Sequence, residues 1–61
     1  MQTLGDILRQ EREERNLLLR QVGASMEIDQ ALISKFERGE RKPTREQVIQ
    51  FAKLYDVKED E

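Results

Sequence analysis

In the stretch from Ile28 to Gly39, IDQALISKFERG, the side chains of Ala31, Ser34, Lys35 and Arg38 share one side of a 3.6-residue wheel, with Gln30 at its leading tip. Together they offer an amide, a hydroxyl, an ammonium and a guanidinium group, the donors that suit nucleobase edges and phosphates. A solvated helix more usually carries Glu–Lys pairs on such a face. An ordinary solvated face is the alternative reading of Gln30, Ser34 and Lys35. Ile33 and Phe36 lie on the other side, with Leu32 at its margin. Asp29 suits the N-cap, because its carboxylate can accept the unpaired amides of a first turn. Gly39 suits the stop, since glycine takes the left-handed conformation that ends many helices.

Enzymatic chemistry finds little to work with. The chain has no His and no Cys, which removes the commonest general base, the commonest metal ligands and any disulfide. Asp6, Glu11, Glu13 and Glu14 crowd one segment without the spacing or turn glycines of a metal loop. No catalytic residue, no metal site and no cofactor is expected, and the protein is read as a non-enzyme.

Sixty-one residues allow one small domain, and such a chain buries only roughly 60% of its unfolded surface. The longest apolar run, Leu17 to Leu19, is far short of a membrane span or a signal segment, so a cytoplasmic protein without membrane contact is expected. The formal net charge of −2 argues against a nucleic-acid partner, but its distribution does not. Residues 1–29 hold four basic and six acidic side chains (−2), residues 30–53 six and three (+3), and residues 54–61 one and four (−3). The positive charge gathers on and just after the Ile28–Gly39 stretch, where it can form a local footprint.

The elements that must position this stretch are all helical. Thr3 followed by Asp6 resembles a capping box, and Leu4, Ile7 and Leu8 form an apolar stripe in a first helix over about residues 3–15. Its second half reads as solvated unless Arg12 turns inward. Asn16 is a stop, and a second helix follows over about residues 19–25, with Val22 and Gly23 inward. Gly23 costs ~1 kcal/mol against Ala, which makes sense if another helix crosses closely there; otherwise it only weakens a short helix. A third helix spans about residues 29–37, in which Glu37 lies near the apolar side and so needs a cation. Arg12 is the preferred partner. Thr44 and Gln47 form a second capping box for a fourth helix carrying Val48, Phe51, Ala52 and Tyr55 inward. Lys58 to Glu61 reads as the first turn of a further segment. The fold class is all-α, a bundle of four to five helices.

Two short helices joined by a three-residue turn, the second displaying polar groups, form the helix-turn-helix layout. Leu4-Gly5, Leu8-Arg9, Arg12, Ile33-Ser34, Glu37, Gly39, Arg41 and Pro43 resemble the pattern of the Xre family, the Cro and lambda-repressor type, over about residues 4–57. The run ISKFERGERKP is the most specific part. The resemblance implies a repressor-type, five-helix fold that binds double-stranded operator DNA as a homodimer, with the dimer interface near the C-terminus. It implies a bacterial or phage transcription regulator, associated with the nucleoid when bound to DNA. It also allows the chain, residues 1–61, to be the N-terminal part of a longer protein.

Carried over by position, the resemblance assigns base reading to Gln30, Ala31, Ser34 and Lys35 in the major groove. Gln30 would pair with adenine, Lys35 with guanine, and the Ala31 methyl with thymine. Arg38, Arg41 and Lys42 match the loop along the phosphate backbone, and for Arg41 and Lys42 a solvated loop is the alternative. The family's ion pair maps onto Arg12 and Glu37. Where the family has Ser or Thr and then a phosphate-contacting Gln at the start of the second helix, this chain has Leu18 and Leu19. A backbone N–H there, or Arg20, is the substitute. Glu27 stands where the turn usually has Gly, which implies strain if the turn needs a positive φ. Gly23 stands where the family tends to have Ala. Leu18 and Leu19 read as packing residues or as an exposed docking patch. The latter supports a rival function, a helix-turn-helix-fold protein-interaction module that has lost DNA binding.

Overall fold

The computed structural model describes residues 2–56, and its element order is α1 (Leu4–Glu14), α2 (Leu19–Met26), α3 (Gln30–Arg38) and α4 (Arg45–Leu54). The protein is all-α, with no strand among the described residues. The helix boundaries agree with expectation to within a residue or so, and Asp29 and Thr44 are the N-caps that the sequence suggests. The segment Lys58–Glu61 lies outside the described residues. Among the described residues no helix is long and apolar enough to cross a membrane.

Each helix start follows from its sequence. The Thr3 hydroxyl accepts from the Asp6 amide at 3.1 Å, while the Asp6 carboxylate accepts from the Thr3 amide at 3.2 Å. Thr44 and Gln47 repeat the arrangement at 3.1 and 2.9 Å. Asp29 accepts from the Ala31 amide at 2.9 Å. Leu18 has no side-chain acceptor, so α2 has half a box, in which Gln21 accepts from the Leu18 amide at 2.8 Å.

The first three helices end by one device. Asn16, Glu27 and Gly39 adopt left-handed φ values of 56°, 60° and 79°. The next residue then reaches back five positions: Leu17 N–H to Arg12 C=O, Ile28 to Gly23 and Glu40 to Lys35, at 3.1, 2.9 and 2.9 Å. Glycine serves one of the three ends, and Glu27 takes the strained conformation expected of it.

Leu8, Val22, Met26, Ile33, Phe36, Phe51 and Tyr55 form the core, and Leu17, Leu19, Ile28, Leu32 and Leu54 pack around it. Phe51 meets Phe36 edge-on at 6.0 Å and stacks on Tyr55 at 5.9 Å, which fastens α4 to α3. Arg15 ties the end of α1 to the end of α4: its guanidinium lies 5.4 Å from the Tyr55 ring centre and donates to the Tyr55 carbonyl.

Two apolar expectations need correction. Of the α1 stripe only Leu8 is buried, whereas Leu4 and Ile7 stay 45% and 40% exposed. They border a shallow groove against Val48 and Ala52 of α4. Of the leucine run, Leu17 and Leu19 pack inward, but Leu18 is 49% exposed, because as the extended N-cap residue it points away from the helix it starts.

Candidate nucleic-acid interface

The outward face of α3 exists because its inward face is held from three directions. Ile33 and Phe36 are fully enclosed, and Glu37 beside them is 6% exposed. Arg12 of α1 turns inward to meet that carboxylate, donating from Nε to Oε2 at 2.7 Å and from Nη2 to Oε1 at 3.1 Å. The remaining Nη1 donates to the Leu17 carbonyl at 2.9 Å, so one guanidinium joins α1, the following turn and α3. The pair raises the Arg12 pKa, chiefly through the hydrogen bond to Glu37, and keeps the cation charged at any working pH.

Two glycines set the distances. A Cβ added to Gly23 would sit 2.8 Å from the Ile28 carbonyl and 3.2 Å from the Gln30 amide. The close neighbour foreseen at Gly23 is therefore the turn and the first residue of α3, rather than the middle of a crossing helix. Gly5 is tighter: a Cβ would stand 2.5 Å from the Glu37 carbonyl and 2.7 Å from that of Phe36. The end of α3 thus rests on the backbone of α1. Sequence reasoning assigned Gly5 no packing role, since its crossing partner is 32 residues away in Glu37.

With α3 so placed, Gln30, Ala31 and Lys35 are exposed on its outer side and Ser34 is half-buried between them. Gln30 and Ser34 are one turn apart and Lys35 adjoins Ser34, so the structure brings these four residues together along the first two turns. Arg38 extends the row but is not an open cation. Its Nε and Nη2 donate to the two carboxylate oxygens of Glu40 at 2.9 and 3.1 Å, and its Nη1 donates to Ser34 Oγ at 2.6 Å. This pairing raises the Arg38 pKa and lowers that of Glu40, in both cases mainly through the hydrogen bond between them. Both side chains are about half exposed, so the pair adds little to stability. Sequence reasoning missed Glu40. The available signal was an acid two residues beyond a terminal arginine, across a helix-ending glycine.

Gly39 turns the chain away from α3 into the loop that holds Arg41 and Lys42, both exposed. Arg20 is exposed at the second residue of α2. Among the described residues Arg20, Lys35, Arg41 and Lys42 have no acidic partner within salt-bridge distance. Arg45, exposed at the first residue of α4, continues the basic run and was not singled out, although it belongs to the same +3 segment. These five cations and a polar helix face can attract a polyanion and present donors to it. Among the described residues no group of three or more metal-ligating side chains gathers.

No curated protein and no solved structure matches the chain. A family model described as a helix-turn-helix domain matches residues 3–61, and the chain belongs to that family.

Proposed function

We propose that the protein is a sequence-specific double-stranded DNA-binding transcription regulator of the Xre type, acting in the cytoplasm as a homodimer and most simply as a repressor. The observation that carries this reading is the two-sidedness of α3, with Ile33, Phe36 and Glu37 sealed inward and Gln30, Ala31 and Lys35 free outward. α3 enters the major groove. Gln30 reads adenine N6/N7, Lys35 donates to guanine O6/N7, and the Ala31 methyl meets that of thymine. Arg20, Arg41 and Lys42 grip phosphates and set the register without reading sequence. No catalytic step and no cofactor enters this function. Regulation follows from occupying an operator, and a dimer reads two half-sites about 10 base pairs apart.

The test is selection of random duplexes by the purified domain, alone and fused to a dimerising tag, at near-physiological salt. An enriched motif supports the reading, and a pseudo-palindrome with that spacing from the untagged chain supports the homodimer. If no motif is enriched in either form, the DNA-reading function is wrong. The exposed Leu18, with Leu4 and Ile7 along the α1–α4 groove, favours a second reading, a protein-interaction module built on the same scaffold. Failure of selection together with capture of a protein ligand lost in Leu18→Ser decides for it.

A further inference from the structure

Glu40, Arg38 and Ser34 form a chain of hydrogen bonds that crosses the end of the outward helix face. The Glu40 carboxylate takes one edge of the guanidinium, Nε and Nη2, and Nη1 is committed to Ser34. A serine hydroxyl has one proton to give and two lone pairs to receive. Here one lone pair receives the Arg38 proton, and among the described residues the hydroxyl's own proton goes to no protein acceptor.

We infer that Glu40 and Arg38 act as positioning residues that make Ser34 a one-way hydrogen-bond donor, so that α3 accepts at this position a base with an acceptor on its major-groove edge and rejects cytosine. The inference rests on the DNA-reading function proposed above. An unconstrained serine can face either a donor or an acceptor, which is why the residue reads bases permissively. A serine whose oxygen is already receiving from a cation is a poor acceptor for a second donor, because the approaching N–H meets a guanidinium. Guanine, adenine and thymine all present an N7, O6 or O4 acceptor in the groove, whereas the cytosine edge presents only its N4 donor. Arg38 thereby leaves the set of phosphate-gripping cations, which falls to Arg20, Arg41 and Lys42, exposed residues with no acidic partner among the described residues. Glu40 is the residue that holds it there. The arrangement needs both ends of the Gly39 turn: the left-handed glycine swings Glu40 back over the last turn of α3, within reach of Arg38.

The experiment runs the duplex selection on four proteins: the unmodified chain, Ser34→Ala, Arg38→Met and Glu40→Gln, each first shown by circular dichroism to be folded. Exclusion of cytosine at one motif position is expected for the unmodified chain. Ser34→Ala and Arg38→Met should each admit cytosine at that same position, a relaxation of about fivefold for one hydrogen bond, while the positions read by Gln30 and Lys35 persist. Arg38→Met should leave the salt dependence of binding unchanged. Glu40→Gln should free the guanidinium to reach a phosphate and steepen the slope of log K against log salt by about one unit. In the free protein, the Arg38 Nε proton should exchange with water more slowly than that of Arg41, and lose this protection in Glu40→Gln. If Arg38→Met instead keeps every motif position and shallows the salt slope by one unit, Arg38 is a phosphate contact and the inference is overturned while DNA reading stands. Equal exchange at Arg38 and Arg41 also overturns it. If the unmodified chain enriches no motif, the function itself fails and the inference falls with it.

Discussion

Arg12 and Glu37 are 25 residues apart in the chain and meet at two points, 2.7 and 3.1 Å, with side chains only 12% and 3% exposed. Removing Glu37 strands the Arg12 guanidinium, and removing Arg12 leaves the buried Glu37 only the exposed Arg9 guanidinium at 3.9 Å, so either loss costs about 3 kcal/mol. A 61-residue domain has little stability to lose, so Arg12→Ala and Glu37→Ala are each expected to be largely unfolded at 25 °C. Replacing both, as in Arg12→Met with Glu37→Leu, removes the stranded charge and should recover a cooperative transition. Urea titration followed by circular dichroism checks this; a double mutant no more stable than either single one would show that the pair supplies orientation that apolar packing cannot replace.

Gly5 and Gly23 separate two kinds of helical glycine. Alanine gains up to about 1 kcal/mol of intrinsic helix propensity at either site. At Gly5 the new methyl meets two backbone carbonyls at 2.5 and 2.7 Å, which no side-chain rotation relieves. Gly5→Ala should therefore be destabilising by about 2 kcal/mol net, with overpacking outweighing propensity. At Gly23 the closest atom is one carbonyl at 2.8 Å, in the turn after α2, so Gly23→Ala should cost less than Gly5→Ala. Thermal melts of the two variants read the order directly.

The contrast also shows what a sequence makes legible. Gly23 announced itself, because a glycine amid helix formers is a local anomaly. Gly5 sits one residue into a helix and looks harmless until its neighbour, 32 residues on, is known. The caps at Thr3, Asp29 and Thr44 were readable for the same reason: each bond spans two or three residues. Glu37 was readable as an inward charge, since the helical period alone places it beside Phe36. The exposure of Leu4 and Ile7 was not, because an apolar stripe says that a face is sticky and not which part of it the neighbouring helices cover. On the outer face the sequence yields the inventory of donors. The ties among them depend on the path of the chain after Gly39, so an acid two residues beyond Arg38 marks Glu40 as a candidate partner without fixing that the two engage.

Glu27 ends α2 at φ 60° and ψ 39°, in the conformation that glycine adopts freely and other residues reach only with strain. Its side chain is exposed, so replacing it removes no packing. Glu27→Gly should raise stability by about 0.5–1 kcal/mol, strain relief exceeding the extra backbone entropy of glycine. For a domain of this size that is a rise in melting temperature of about 4 °C. A fall would mean that the turn is held by the Glu27 side chain and not merely tolerated by it.

Tyr55 is the chain's single tyrosine, no tryptophan overlaps its absorbance, and its buried hydroxyl has no hydrogen-bond partner among the described residues. Burial, reinforced by the Glu37 charge, pushes its pKa up from 10.0 to about 12. A phenol whose folded pKa is raised contributes stability that is fully present below the unfolded value and lost as pH rises through the folded one. Stability should thus decline between pH 10 and about 12, and tyrosinate absorbance should appear late and together with unfolding. Tyr55→Phe removes a buried hydroxyl without a partner among the described residues, so it should be neutral or mildly stabilising at pH 7 and should remove this part of the alkaline loss.

Lys35 and Lys42 carry the same charge and are both exposed, yet one stands on the outer face of α3 and the other in the loop beyond Gly39. Position therefore assigns them different work in the proposed complex. Lys35 faces base edges, so Lys35→Ala should cost ~1–3 kcal/mol on the preferred operator and relax discrimination at one base position. Lys42 faces the phosphate backbone, so Lys42→Ala should weaken all sequences about equally and shallow the salt slope by roughly one unit. Both variants leave the core untouched, and any difference between them arises at the nucleic acid. Binding isotherms on the selected operator and on an unrelated duplex, at three salt concentrations, separate the two patterns. Identical profiles for the two variants would refute the assignment of reading to the helix and gripping to the loop, even if both lose affinity.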